Sequence, residues 1–157
     1  MSRFYTALAV SPSPAPPADT TTDFDALAPR LRALAQEAGF QHFGVAGIEL
    51  DADEVHLRDW LAKGLHGSMG WMAHHGDKRS RPDELLPGTL RVISVGLDYG
   101  RRDDAEAWQT LAAGERAYVA RYALGRDYHK LMRQRLQKLA ERIAAEIGPF
   151  GYRVFVD

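Results

Sequence analysis

Residues 127–157 read DYHKLMRQRLQKLAERIAAEIGPFGYRVFVD, a helix, a turn and a strand in direct succession, and that order decides the class of fold. Tyr128, Met132, Leu136, Leu139, Ile143 and Ile147 recur at helical spacing, so a helix over residues 127–147 carries one apolar stripe. At 1.5 Å per residue it is about 32 Å long. Lys130, Arg133, Lys138 and Arg142 fall on its other flank. Gly148-Pro149-Phe150-Gly151 is a turn, and residues 152–156 read as a short apolar strand ending on the carboxylate of Asp157. A buried strand that runs into an acid carries it to the rim of a sheet, where ligands sit.

Working outward, residues 91–99 are the clearest strand, with Val92, Ile93, Val95 and Leu97 bounded by turn residues. Residues 40–48 read as a second strand and residues 118–122 as a candidate third. Leu27, Leu31, Leu34, Ala35 and Ala38 mark a helix with Pro29 in its first turn and Gly39 as its stop. Asp51-x-x-Glu54 has the spacing of a capping box, opening a helix whose apolar face is Val55, Leu57, Trp60 and Leu61. Residues 81–86 predict one or two helical turns, and residues 100–114 a charged, irregular excursion. Residues 11–22 are Pro, Ser, Ala and Thr almost throughout, so residues 1–22 read as a disordered tail before a folded domain over residues 23–157. Strands separated by helices with long irregular connections predict an α+β fold, a mixed sheet packed by helices.

Composition sets bounds. A chain of 157 residues with 45% hydrophobic and 26% charged residues suits a single soluble domain. The net charge of -1 excludes a protein that coats nucleic acid by bulk charge, but not one with a local basic face. With no cysteine, this sequence holds no disulfide, thiolate metal site, cysteine nucleophile or iron–sulfur ligand. No apolar run reaches the roughly 20 residues that span a bilayer, and the start lacks a signal-peptide core, so a cytoplasmic location is expected.

Five segments carry candidate chemistry. Residues 121–130, RYALGRDYHK, join a strand to the long helix, where Arg121 and Arg126 crowd a helix N-terminus suited to a phosphate. The plain alternative is a helix capped by Asp127 with both arginines in solvent. His66, His74 and His75 lie among Met69, Trp71 and Met72. Neighbouring histidines face apart in regular structure and cysteine is absent, so these residues read as an adaptable apolar lip, with no metal. Arg79 and Arg81 flank a proline-initiated turn that would hold an anion or simply meet water. Residues 126–142 hold six Lys or Arg against two acids, a basic flank attractive to an RNA backbone or a solvated surface. Asp157, beside Phe155 and Val156, is placed either as a general acid or as a strand-end turn residue.

Four motifs in order carry a resemblance: Trp60-Leu-Ala-x-Gly64-x-His66-Gly-x-Met69-x-Trp71-Met; Arg79-x-Arg81-Pro-x-Glu84-Leu-Leu-Pro-Gly; Arg121-Tyr-Ala-x-Gly-Arg-Asp-Tyr-His129; and Tyr152-Arg-Val-Phe-Val-Asp157. Over residues 23–157 the chain resembles the epoxyqueuosine reductases, which remove an epoxide oxygen in the last step of making queuosine at the tRNA wobble position. The resemblance implies the fold of a cobalamin-binding N-terminal domain, related to that of corrinoid reductive dehalogenases. It implies that Asp157 is the proton donor at the cobalamin face, and that Arg79 and the backbone of Ala120 touch the corrin. It implies tRNA as partner, a monomer, and two [4Fe–4S] clusters on a ferredoxin-like part. The cluster cysteines, and the Ser-Ala-Pro run that follows the aspartate, are not in this sequence. The expectation is therefore an N-terminal portion, cut short and without turnover alone. The alternatives are a tRNA- or anion-binding module, and a corrinoid-binding module.

Overall fold

The computed structural model describes residues 3–12, 24–74, 76–99 and 105–156. Four strands, β1 (Arg3–Pro12), β2 (His42–Ala46), β3 (Arg91–Asp98) and β4 (Phe150–Val156), form one sheet in the order β2-β3-β1-β4. Every neighbouring pair is antiparallel. The expected α+β class is observed, but the sheet is antiparallel throughout and not mixed.

Two helices complete a β-α-β-β-α-β plan of two split βαβ units. Helix α1 (Phe24–Glu37) links β1 to β2, and helix α6 (Tyr128–Ile147) links β3 to β4. Between β2 and β3 the chain makes an excursion through α2 (Asp51–Ala62), α3 (Trp71–His74), a 3-10 turn (Gly76–Arg79) and α4 (Pro82–Leu85). Helix α5 (Ala105–Ala112) and a 3-10 turn (Arg121–Ala123) lie between β3 and α6.

The register explains the core. Val45, Ile93, Leu8 and Val154 stand opposite one another across all four strands, and Phe43, Val95 and Val156 share the same face. Helix α6 lays Met132, Leu136, Leu139, Ala140 and Ile143 on that face, and α1 adds Leu31 and Ala35. All of these helical residues are buried, as is Phe40 just after α1. The stripe read from the sequence is thus the main wall of the core. Ion pairs Arg142–Glu37 and Arg30–Glu146 clamp α6 to α1 at the surface.

Four sequence expectations need correction. Residues 3–12 belong to no tail: they form one of the two inner strands of the sheet, and residues 1–2 and 13–22 of the expected tail lie outside the described residues. The segment at 118–122 forms no strand, and Arg121–Ala123 coils into a 3-10 turn instead. The excursion at 100–114 contains helix α5. Glu54 closes no capping box. The cap position of α2 is Leu50, with no side-chain cap, and the Glu54 side chain turns inward.

Glu54 has non-local partners. Ser80 Oγ donates to it at 2.7 Å, Arg81 donates Nε and Nη2 to its two oxygens at 3.0 Å, and Arg58 pairs with it at 2.6 Å. This fastens α2 to the segment before β3. The Arg81 and Ser80 hydrogen bonds, which favour the charged form, hold the Glu54 carboxyl down to about 2 from its ordinary 4.5. A depressed folded-state value means stability that is present above pH 4.5 and lost as pH falls towards 2. The melting temperature is therefore expected to fall steeply through that window. Glu54→Gln should melt lower near neutrality and show a flatter acid limb. Parallel acid limbs for the two proteins would assign the acid sensitivity to other groups.

Candidate functional site

β3 and β4 both run antiparallel to β1, so they finish on the same rim, at Asp98 and Val156. Helix α6 leads back to the start of β4 and must begin at that rim. Ring contacts close the corner: Tyr99, just past β3, meets Tyr122 edge-on at 6.4 Å, and Tyr122 meets Tyr128 of α6 edge-on at 6.4 Å. Tyr128 in turn stacks on His129 at 4.1 Å. At the same end His42 Nε2 lies 3.0 Å from Asp98 Oδ1.

The segment that crosses this corner holds three of the sequence candidates. Ala120 precedes the 3-10 turn, Arg121 opens it, and exposed Arg126 follows. Gly125 has φ +103, a left-handed backbone that favours glycine, and it turns the chain into α6. Asp127 is the N-cap of α6. Its carboxylate accepts the His129 backbone N–H at 3.0 Å and lies 2.9 Å from the ring Nδ1. The His129 bonds hold the Asp127 carboxyl below its usual range. The capped-helix reading of Asp127 is correct, and the start of α6 is occupied by the chain's own carboxylate. Arg121 instead lines a hollow of about 260 Å³ with Ala107, Thr110, Tyr118, Val119 and Leu124. Its wall is almost evenly polar and apolar, with one guanidinium.

Arg79 is placed elsewhere. Its excursion leaves from the end of β2 and returns at the start of β3, the rim opposite Asp98. The guanidinium donates to the carbonyls of Met72 at 2.9 Å and Trp71 at 3.0 Å, and lies 5.1 Å from the Trp71 ring centroid. Arg79 thus braces the Met69–Trp71 lip, where both side chains are exposed. Among the described residues no group of His, Asp or Glu is arranged to hold a metal ion, and no helix is long and apolar enough to cross a membrane. His75 and Asp157 lie outside the described residues.

The basic flank of α6 is real but partly engaged, since Arg142 pairs with Glu37 while Lys130, Arg133 and Lys138 stay exposed. A larger hollow, about 520 Å³, runs along edge strand β2 between Arg32, Phe43, Glu49 and Arg91. None of the sequence candidates lines it. Sequence reading missed Tyr99 and the His42–Asp98 pair, because the sheet register alone brings them to the rim.

Comparison with known proteins fits the position of these motifs. Residues 79–157 match the family described as "Epoxyqueuosine reductase QueG, DUF1730". The chain is 77% identical over 130 residues to an epoxyqueuosine reductase of Xanthomonas campestris, covering 83% of this chain and 37% of that protein. It is 56% identical over 147 residues to the Pseudomonas aeruginosa epoxyqueuosine reductase, covering 92% and 40% respectively. With the Escherichia coli protein of that name identity is 49% over 135 residues, 86% of this chain and 35% of the relative. The chain thus spans about two fifths of the length of the relatives it matches. No solved structure gives a significant match. The matched half contains β3, α5, the Arg121–His129 corner, α6 and β4, and on that match the chain belongs to the epoxyqueuosine reductase family.

Proposed function

We propose that this chain forms the cobalamin-facing, N-terminal portion of a cytoplasmic epoxyqueuosine reductase, which converts epoxyqueuosine to queuosine at the wobble position of tRNA. The family match over residues 79–157 carries the reading, because it spans the rim where β3, the Arg121 turn and α6 converge. The hollow at Arg121 suits a large amphiphilic macrocycle: about 260 Å³ accepts one side of it against Tyr118, Val119 and Leu124. The Ala120 backbone and the Arg121 guanidinium would hold that side. Arg79 stands at the opposite rim, bonded to the Met72 and Trp71 carbonyls, so its role here is to brace the lip and it is not assigned to this face.

When bound, cobalamin supplies the reducing equivalents for cleavage of the epoxide carbon–oxygen bonds, and the protein supplies orientation and proton delivery. Converting the epoxide to an alkene consumes two electrons and two protons and releases water. Asp157 gives a proton to the departing oxygen, while exposed Arg126, Lys130 and Arg133 meet tRNA phosphates. The family's [4Fe–4S] clusters need cysteine ligands and this sequence has none, so the polypeptide that holds them must be supplied for turnover.

The test has two arms. Visible absorbance should report weak cobalamin binding by the 157-residue chain. A chimera in which this chain replaces the matched segment of the Xanthomonas campestris relative should bind tightly and reduce epoxyqueuosine in tRNA. A folded chimera that takes up no cobalamin overturns the reading. Retention of tRNA by such a chimera would favour an anion-binding module instead.

A further inference from the structure

Helix α5 is built inside out. Its small residues Ala107 and Thr110 line the Arg121 hollow, while Trp108 and Leu111, three positions apart and so on one face, are 73% and 55% exposed. Tyr118, Val119 and Leu124 extend the apolar surface beside them, each close to half exposed or more. The stretch is also depleted of charge. Residues 107–113 contain no ionisable side chain in a chain that is 26% charged, and the first charges after them are exposed Glu115 and Arg116 in the loop. A tryptophan-centred apolar helix face with charges only at its edge has the composition of an interface core with its polar rim, and solvent-facing helices do not normally present one.

We propose that the Trp108–Leu111 face of α5 is the docking surface for the polypeptide that makes up the remaining three fifths of the relatives' length. The inference rests on the proposed function. The family match covers α5 and its loop, and the relatives that share the segment are far longer than it. The occupant is thus an apolar surface of that additional polypeptide, seated over Trp108 and Leu111 beside the Arg121 hollow.

Hydroxyl-radical footprinting read by mass spectrometry tests the surface residue by residue. In the 157-residue chain Trp108 and Leu111 should label strongly, as should Val55, a 64% exposed control on α2. In the Xanthomonas chimera, labelling of Trp108 and Leu111 should be lost while Val55 still labels. Footprinting of the native Xanthomonas relative, at the residues aligned with α5, gives the same reading if the chimera does not fold. A chimera that reduces epoxyqueuosine with Trp108 and Leu111 still labelled overturns the docking surface and leaves the function standing. Protection in a chimera that reduces nothing supports the surface and overturns the function. Labelling of the isolated chain that falls as its concentration rises makes this face a contact between copies and overturns the proposal.

Discussion

Removal of residues 1–12 is expected to abolish cooperative folding. β1 is an inner strand bonded on both sides: Arg3–Val10 pair with β3 and Thr6–Pro12 with β4. β4 has no other neighbour in the sheet, so deletion frees one strand, splits the sheet and opens the floor beneath α6. Leu8 shows the scale. It is 0% exposed and stands between Ile93 and Val154, so Leu8→Ala alone is expected to cost about 2–5 kcal/mol, lowering the melting temperature by roughly 5–20 °C. Losing the whole strand adds the backbone hydrogen bonds and the burial of Val10, which exceeds the stability of an ordinary domain. Circular dichroism of the shortened chain should show no sigmoidal melt. A cooperative transition within a few degrees of the parent would mean that β1 is dispensable, which the sheet order does not allow.

That strand was hidden from sequence reading for a physical reason. An inner strand with both faces partly covered loses the alternation that marks a half-exposed one. Ala7, Leu8, Ala9 and Val10 are four apolar residues in a row, and the proline-rich stretch after them resembles a tail. β3, α6 and β4 were legible because their signals are local: a β-branched run, a 3.6-residue stripe, a turn followed by apolar residues. The failures came where long-range partners decide. Tyr118 to Tyr122 looks like a strand, but the Tyr99–Tyr122–Tyr128 contacts hold that segment at the corner before α6, away from any sheet edge. Glu54 sits at capping-box spacing, yet Ser80 and Arg81 offer its carboxylate more than a backbone N–H would. The charged residues at its start masked α5, whose own residues are mostly good helix formers. Of the site, the Arg121–His129 corner could be read as a junction, whereas the approach of Tyr99 and Asp98 to it depends on sheet register.

Asp157→Asn is expected to lower epoxyqueuosine reduction by the chimera about a hundredfold to ten-thousandfold, the range a positioned general acid contributes. Val156, the residue before it, pairs with Thr6 at the rim where β3 also finishes and where Tyr99, Tyr122 and Tyr128 gather. An acid that follows such a strand is next in sequence to the proposed cofactor face, and leaving-group oxygen needs a proton as the epoxide opens. Asparagine keeps the size and most of the hydrogen bonding but cannot give that proton, so cobalamin uptake and the melting temperature should stay near the parent values. Turnover, followed by mass spectrometry of tRNA nucleosides, should be the property that falls. A carboxylate that only closed the strand end would behave in the opposite way: folding or cofactor uptake would suffer, and each folded molecule would turn over as before. An Asn variant that takes up cobalamin and reduces epoxyqueuosine at close to the parent rate would remove Asp157 from the chemistry. The rim would then have to find its proton elsewhere, and the tyrosines and the His42–Asp98 pair gathered there would be the first groups to test.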